Sequence, residues 1–265
     1  MTDPRGMNEC EDRRLSGVLI IHGFTANLES VRSLFEPLER LGLSLSAPLL
    51  RGHGGASPDE LRGVTWQDWM ADTEGELKKL AGTGGKVVVI GHSMGALLAL
   101  RHALRHPNLV DSVVLATSPI RLFSLLAPGR SLHFLAPLVS RVVDRWGFSP
   151  TFADPANALM PKQYDWAPTR TILSMFELID ETERVMNRVQ KPALILHARH
   201  ETVVRSESAE IIYRAIATSQ EQKSIIWFDK TDHQIFCDCE RHRAIDSVVS
   251  FVANRQVVDR RRPAP

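Results

Sequence analysis

The sequence predicts an α/β protein in which a mostly parallel sheet of about six strands carries helices on both faces. Three observations support this fold class. Six short apolar runs, most of them rich in β-branched residues, alternate with segments of helical periodicity. The chain has 265 residues and 43% hydrophobic content, which is enough for one sizeable core. The third run ends in Gly-x-Ser-x-Gly and passes directly into an Ala/Leu-rich helical segment.

Each strand is predicted where an apolar run stops at a turn signal. The first run, residues 15–21, ends at His22-Gly23, and the second, residues 43–47, ends at Pro48. The later runs lie at residues 87–90, 112–117, 192–198 and 224–229. Because each run leads into a helix or loop at the same edge of the sheet, we expect mostly parallel pairing.

Helices are predicted between these strands from their apolar periodicity. Thr65 is the expected N-cap of the second helix, and His106-Pro107 ends the third. The predicted helices span about residues 27–40, 66–81, 94–106, 206–217 and 238–254.

Residues 120–188 break the alternation and are predicted to form a small helical cap. This segment is rich in Leu, Phe, Trp and Met but contains no convincing strand. An insertion at this point would lie over the strand ends, where open α/β sheets bind ligands. We therefore expect a core at residues 15–119 and 189–255, a flexible N-terminus at 1–14 and a disordered tail at 256–265.

The strand, turn and helix around residue 93 predict a nucleophile elbow. Gly91 and Gly95 are needed because a side chain at either position would collide with the neighbouring strand or helix. Ser93 would project from the top of the sheet. The helix that starts beside it aims backbone N–H groups at the reaction centre, which suits a developing oxyanion. We expect the two donors of this oxyanion hole to be the amides of Met94 and Phe24.

A serine at such an elbow needs a base, and in this architecture an acid and then a histidine follow it along the chain. His233 lies between the last strand and the last helix and is the predicted base. Glu201, after the fifth strand, is predicted to orient the imidazole and stabilise its charge. Asp229 and Asp232, on the histidine's own segment, remain alternatives for the acid. His53 precedes the serine and is predicted to be structural.

Composition limits the classes of partner. The 32 Lys+Arg and 31 Asp+Glu residues leave a net charge of +1, which favours neither nucleic acid nor an anionic membrane. Residues 1–14 lack the apolar segment of a secretory signal, and no apolar run is long enough for stable membrane insertion. An odd number of cysteines, 3, fits a reducing compartment, so we expect a cytoplasmic protein with a small, largely uncharged ligand.

Cys237-x-Cys239 lies near His233 and His242 in the sequence, but no second pair completes a set of four zinc ligands. Two reduced thiols are therefore expected, and no metal site. Composition and motifs leave the oligomeric state open.

Several motifs spread over residues 15–255 resemble one known family. They are His22-Gly23-Phe24, Arg51-Gly52-His53-Gly54, Gly91-His92-Ser93-Met94-Gly95, Ala198-Arg199-His200-Glu201 and Asp232-His233. With them the chain resembles the small bacterial carboxylesterases and monoacylglycerol lipases of the α/β-hydrolase family. The resemblance implies the α/β-hydrolase fold and ester hydrolysis through an acyl-enzyme, without metal or organic cofactor. One position departs, because those enzymes carry an aspartate where this chain has Glu201.

The predicted function is that of a serine hydrolase for carboxylic esters of short to medium acyl chains, including monoacylglycerols. The cap has more apolar side chains than its own helices can bury, so some are expected to form an acyl pocket. No large exposed apolar surface is expected, so emulsified triacylglycerols should be poor substrates. A thioesterase, a lactonase, a carbon–carbon bond hydrolase or an acyltransferase on the same scaffold remains an alternative, as does a non-catalytic binding protein.

Overall fold

A six-stranded sheet forms the centre of the protein, which a computed structural model describes at residues 15–82, 84–149 and 151–261. Its strands are β1 (Leu15–Ile21), β2 (Ser44–Ser46), β3 (Lys86–His92), β4 (Val110–Ala116), β7 (Ala193–Ala198) and β8 (Lys223–Phe228). Two further strands, β5 (Arg145–Gly147) and β6 (Trp166–Pro168), form a separate pair. Neighbouring strands of the six-stranded sheet all pair in parallel, in the order β2-β1-β3-β4-β7-β8. The predicted mostly parallel α/β fold is confirmed.

Helices cover both faces of this sheet. In the described part of the chain they are α1 (Phe35–Glu39), α2 (Trp66–Ala81), α3 (Met94–Arg105), α4 (Ala136–Val142), α5 (Thr169–Val185), α6 (Glu207–Ala215) and α7 (Arg241–Arg261). Thr65 caps α2 as predicted, because the Asp68 carboxylate accepts a hydrogen bond from the Thr65 amide at 2.9 Å.

Alternate strand residues supply the two apolar layers of the core. On β3, Val87 and Val89 belong to the layer packed under α2, α3 and α6, and Val88 and Ile90 belong to the layer under α1 and α7. Because both faces of the strand are covered, its sequence is a continuous apolar run without polar alternation.

The chain changes direction in the sheet between β1 and β3. From β1 it moves outward to β2, and from β3 it moves through β4 and β7 to β8 on the other side. The loops that follow β1 and β3 therefore separate at the carboxyl ends of the strands and leave a crevice there. Ligands of open α/β sheets bind in such a crevice.

The last helix is longer than predicted. Residues 256–261, expected to belong to a disordered tail, are helical, so that expectation is wrong for them. The first proline after the start of α7 is Pro263, so no earlier residue removes a backbone donor from the helix. The predictions for residues 1–14 and 262–265 lie outside the described residues.

The segment predicted as the cap, residues 120–188, shares its core with the sheet. Leu178 and Ile179 of α5 belong to the same apolar cluster as the strand residues Val87 and Val89. The antiparallel pair β5–β6 also lies in this segment, which corrects the expectation of a purely helical insertion. Each of these strands has three residues, too few for an alternating pattern to mark them in the sequence.

Large apolar side chains on the cap face solvent, so the expectation of no such surface is wrong. Phe134, Leu138 and Val142 are 74, 57 and 81% exposed and recur at every fourth position. This spacing marks one face of a helix without indicating whether that face is covered. The expectation of poor activity on emulsified triacylglycerols therefore loses its basis.

None of the described helices combines the length and the apolar character needed to cross a membrane.

Candidate active site

β3 ends in the sharp turn that the sequence predicts. Ser93 has φ 52° and ψ −120°, a positive φ that residues with a side chain rarely adopt. A Cβ on Gly91 would lie 2.2 Å from the carbonyl carbon of Gly95, and one on Gly95 would lie 2.2 Å from the carbonyl oxygen of Ile21. Since these obstacles are backbone atoms, both positions require glycine. The turn places Ser93 at the N-terminus of α3.

Ser93, His233 and Glu201 lie in one row of hydrogen bonds. The Oγ of Ser93 is 3.0 Å from the Nε2 of His233. The other ring nitrogen, Nδ1, is hydrogen-bonded to the Oε1 of Glu201, which also accepts the amide of Val204 at 3.0 Å. The three side chains come from the loops after β3, β8 and β7, and all three residues are buried.

The two alternative acids do not reach the imidazole ring. The Asp229 side chain is 65% exposed and pairs with Arg199 at 3.2 Å. The Asp232 carboxylate accepts hydrogen bonds from the amide and hydroxyl of Thr202, both at 2.9 Å, and from the backbone amide of His233 at 2.8 Å. Glu201 is therefore the one of the three candidate carboxylates that contacts the ring.

Burial controls the protonation of this row. It lowers the pKa of the His233 imidazole, which is therefore neutral near pH 7 and able to accept a proton from Ser93. Burial also raises the pKa of the Glu201 carboxyl, whereas His197 and the Val204 amide lower it. The ionised form of Glu201 consequently depends on the N–H groups around it.

The amides of Phe24 and Met94 flank Ser93. Met94 is the first residue of α3, and Phe24 lies in the turn after β1. Gly23 passes so close to the serine that a Cβ there would lie 3.1 Å from the Cβ of Ser93. Within the described ranges, neither amide donates a hydrogen bond to another protein group. Both are therefore available to an oxygen atom bound beside Ser93.

A family model matches most of the chain. The model, Hydrolase_4, is described as serine aminopeptidase, S33, and it matches residues 13–240. The chain belongs to this family of α/β hydrolases.

Two relatives that match most of the chain are named as a lipase and an esterase. The hydrolase is 28% identical over 243 residues to a thermostable monoacylglycerol lipase from Bacillus sp. (strain H-257), with 89% of this chain and 90% of the relative covered. It is 26% identical over 236 residues to a carboxylesterase from Bacillus subtilis (strain 168), with 89% and 91% covered. The predicted resemblance to the carboxylesterases and monoacylglycerol lipases of the α/β-hydrolase family is confirmed.

Solved structures share the fold of the hydrolase. One from a study of LipS and LipT, two metagenome-derived lipolytic enzymes, has a TM-score of 0.81 at 24% identity and covers 91% of this chain and 94% of its own. The monoacylglycerol lipase of Paleococcus ferrophilus has a TM-score of 0.74 at 18% identity, with 92% and 96% covered. At these identities the likeness concerns the fold.

The sequence analysis did not identify Asp238 as a residue that stabilises the loop of His233 by hydrogen bonds. The buried Asp238 carboxylate accepts the backbone amides of Asp232 at 2.8 Å, Cys239 at 2.8 Å and Ala153 at 2.7 Å. Asp232 in turn ties the His233 amide to the loop of Glu201 through Thr202. The sequence did contain a signal, because Asp238 lies in an apolar stretch after His233. A carboxylate buried in such a stretch is normally hydrogen-bonded, which would have indicated a structural role for it.

Three buried histidines beside the site make local contacts. His22 accepts the amide of Leu50 at 3.2 Å, and His92 donates to the carbonyl of His233 at 2.9 Å. Burial lowers the pKa of each of these imidazoles to about 3. His53 packs against the ring of Trp69, and burial lowers its pKa to about 4. These contacts fit the prediction that His53 is structural.

Two adjacent cavities lie beside Ser93 and under the cap. The first, of about 130 Å³, is bounded by Ser93, His233, Gly23 and Phe24. The second, of about 320 Å³, lies within the cap and is lined mostly by apolar side chains. Both cavities share the apolar residues Leu122, Phe148, Ile172, Phe176 and Val203. The two cavities therefore adjoin along an apolar wall.

The cavity beside Ser93 also has a polar lining. Gln234 donates a hydrogen bond to Gln163 at 3.1 Å, and both residues line the cavity together with Thr151. The Oε1 of Gln234 and the Oγ1 of Thr151 are buried without a hydrogen-bond partner among the described residues. Buried polar atoms are normally satisfied, so these oxygens favour a ligand that donates hydrogen bonds.

Two of the three cysteines, Cys237 and Cys239, lie in the described residues, and their thiols face different partners. The Sγ of Cys237 lies 3.5 Å from the carbonyl of Ser30, and burial raises the pKa of this thiol to about 12. The Sγ of Cys239 contacts the carbonyl of Lys230. Over the ranges that the structure describes, no group of three or more His, Cys, Asp or Glu residues is placed to hold a metal ion.

Proposed function

We propose that this hydrolase is a serine esterase that cleaves carboxylic esters of short to medium acyl chains through an acyl-enzyme. The observation that carries the proposal is the hydrogen-bonded row of Ser93, His233 and Glu201 at the end of β3. A nucleophile, a base and an acid hydrogen-bonded in this spatial order perform acyl transfer on several unrelated folds.

The geometry supports a two-step reaction. His233 takes the proton of Ser93 as the Oγ attacks the ester carbonyl carbon, and the amides of Phe24 and Met94 stabilise the resulting oxyanion. The ester C–O bond then breaks, and His233 gives the proton to the leaving alcohol. In the second step, water attacks the acyl-enzyme, its proton passes through His233 to the Ser93 Oγ, and the acid leaves. Glu201 stabilises the imidazolium in both steps.

The acyl chain is proposed to enter the cap cavity. This cavity is apolar, has a volume of about 320 Å³ and shares five apolar lining residues with the cavity beside Ser93. Each buried methylene contributes about 0.8 kcal/mol, or roughly a fourfold gain in kcat/KM. On nitrophenyl esters we expect kcat/KM to rise with chain length and to peak between butyrate and decanoate. A strict preference for acetate would contradict this placement.

Monoacylglycerols are the proposed members of this class with a polar alcohol. The unpaired oxygens of Gln234 and Thr151 beside the serine can accept hydrogen bonds from the free hydroxyls of glycerol. The relative from Bacillus sp. (strain H-257) is named as a monoacylglycerol lipase. We expect a higher kcat/KM for a monoacylglycerol than for the methyl ester of the same acid. Equal values for the two esters would count against a glycerol subsite.

The deciding experiment is labelling with a fluorophosphonate probe, followed by mass spectrometry of the labelled peptide. We expect the label on Ser93 and no labelling of Ser93→Ala. The Ser93→Ala variant should keep only the roughly 10³ to 10⁴-fold acceleration over water that binding and the oxyanion hole provide. Ser149→Ala is the matched control because Ser149 lines the same cavity without contacting His233. A Ser93→Ala protein with the activity of the parent would refute the proposal. A panel of esters, thioesters and lactones separates the esterase from the other enzymes on this scaffold.

A cytoplasmic location is part of the proposal. Both cysteines in the described ranges, Cys237 and Cys239, are free thiols, as expected in a reducing compartment. Fractionation of the native host with an antibody against the hydrolase tests the location, and recovery outside the cytoplasm would contradict it.

A further inference from the structure

The carboxylate of Glu201 has two oxygens in different surroundings. Oε1 is hydrogen-bonded to His233 and to the Val204 amide. Oε2 is buried and has no hydrogen-bond partner of ordinary geometry within the described ranges. The Glu201 side chain has no exposed surface, so water does not solvate this oxygen.

The group nearest to Oε2 is a second imidazole. The Nε2 of His197 lies 3.5 Å from Oε2, and the His197 side chain is 1% exposed. His197 is the fifth residue of β7, where its ring packs edge-on against Trp227 of β8. Like Oε2, the Nε2 and Nδ1 atoms of His197 have no hydrogen bond of ordinary geometry. Hydrogen bonds in ligand-free active sites are often long and shorten in the complex with substrate.

Few charged groups face this pair. Besides Glu201, the titratable group acting on His197 is His233, which lowers its pKa, whereas the backbone carbonyls of Val204 and Arg205 raise it. Burial lowers the pKa of His197 more than any of these contacts. Asp232 acts on Glu201 and raises the pKa of its carboxyl. A neutral His197 therefore carries one N–H group, and its ring lies beside a carboxylate that burial drives towards its protonated form.

The protonation of Glu201 matters to the base. An ionised Glu201 accepts the Nδ1–H of His233 and leaves Nε2 free to accept the Ser93 proton. A protonated Glu201 donates to Nδ1 instead, so the proton of the neutral ring moves to Nε2. His233 then cannot act as a base. Any group that keeps Glu201 ionised acts on the reaction through His233.

We propose that His197 is a positioning residue whose Nε2–H faces Oε2 of Glu201 and keeps this carboxylate ionised and oriented towards His233. This inference rests on the proposed function of the same site. It also relates to the departure from the family pattern, because the longer glutamate side chain carries Oε2 to within 3.5 Å of His197.

The test is the pH dependence of kcat/KM in His197→Phe, which keeps a ring of similar shape without the N–H group. We expect the acid limb to move upward by about one pH unit. At about pH 6 the activity should fall about tenfold, and at about pH 9 it should approach that of the parent. His197→Gln should restore the limb because its amide N–H can take the place of Nε2–H. His197→Asn is the second variant in case His197→Phe folds poorly, because its side chain is too short to reach Oε2. It should show the same upward shift of the acid limb.

A double-mutant cycle with Glu201→Gln separates positioning from packing. Adding His197→Phe to Glu201→Gln should change kcat/KM by less than about twofold, because the carboxylate on which His197 acts is gone. A uniform loss at every pH with an unmoved acid limb, or the same loss in both backgrounds, would overturn the inference. If Ser93→Ala is inactive and the limb of His197→Phe is unmoved, this inference alone fails. An active Ser93→Ala protein would instead remove the proposed function.

Discussion

Replacing Glu201 with glutamine removes one charge and almost no volume. Two N–H donors face Oε1, the Nδ1–H of His233 and the amide of Val204, the latter at 3.0 Å. A glutamine NH₂ at that place would meet two donors, so its oxygen should occupy the position instead. The tautomer of His233 is then retained, and the variant mainly loses the negative charge beside the imidazolium.

The expected loss follows from the electrostatics of this pair. Two unit charges about 4 Å apart interact by about 4 kcal/mol at an effective dielectric constant of about 20. Loss of this stabilisation in the transition state corresponds to a fall in kcat/KM of about 10³-fold. The acid limb should also move to lower pH by more than about one unit, because Glu201 no longer takes up a proton and burial lowers the pKa of His233.

The assay is kcat/KM for nitrophenyl butyrate from about pH 5 to about pH 9, together with the rate of fluorophosphonate labelling. Glu207→Gln is the matched control, because the Glu207 side chain is 45% exposed and pairs with Arg205. Its kcat/KM should stay within about twofold of the parent. A Glu201→Gln enzyme within twofold of the parent would refute the assignment of the acid, as would a far larger loss in Asp229→Asn or Asp232→Asn.

Three further results are expected. Ile172→Trp should fill the boundary between the two cavities and shift the ester preference towards acetate by about fourfold per excluded methylene, whereas a parallel loss on all esters would contradict this. Gly95→Ala should abolish soluble expression, since its Cβ would lie 2.2 Å from a backbone oxygen, but Gly75→Ala on α2, with nothing within 4 Å, should stabilise by up to about 1 kcal/mol in thermal melts. Stability should fall as the pH drops below about 6.5, by up to about 1.4 kcal/mol per pH unit for each buried neutral histidine, because the unfolded chain binds protons that the folded one does not. The histidines concerned are His22, His53, His92 and His102. A midpoint of urea unfolding that is higher at about pH 5 than at about pH 7.5 would contradict this prediction.

The main strands could be predicted because a strand that is buried on both faces has a continuous apolar sequence. The run at residues 192–198 became β7 (Ala193–Ala198), and the run at 15–21 became β1 with the same bounds. Short or one-sided elements left no such signal. The three-residue strands β5 and β6, the exposed side of α4 and the end of α7 were therefore missed or misplaced.

The elbow could be predicted as well, because its requirements are local. Gly91 and Gly95 must lack side chains for β3 to turn into α3 at Ser93, and those contacts lie within a few residues or in the adjacent strand. Chain order then selected His233 and the three carboxylates around it as candidates, without ranking those carboxylates by distance.

The sequence by itself therefore determined the fold class, the turn at Ser93 and the set of candidate residues, because periodicity and turn chemistry are properties of short segments. Only the tertiary structure decided that Glu201 rather than Asp229 or Asp232 contacts His233, and that His197 faces its second oxygen. A hydrogen bond depends on distances of about 3 Å, and these residues approach one another only when the loops after β3, β7 and β8 meet at the same edge of the sheet. The cavities depend in the same way on how the cap packs over that edge, which no short segment encodes.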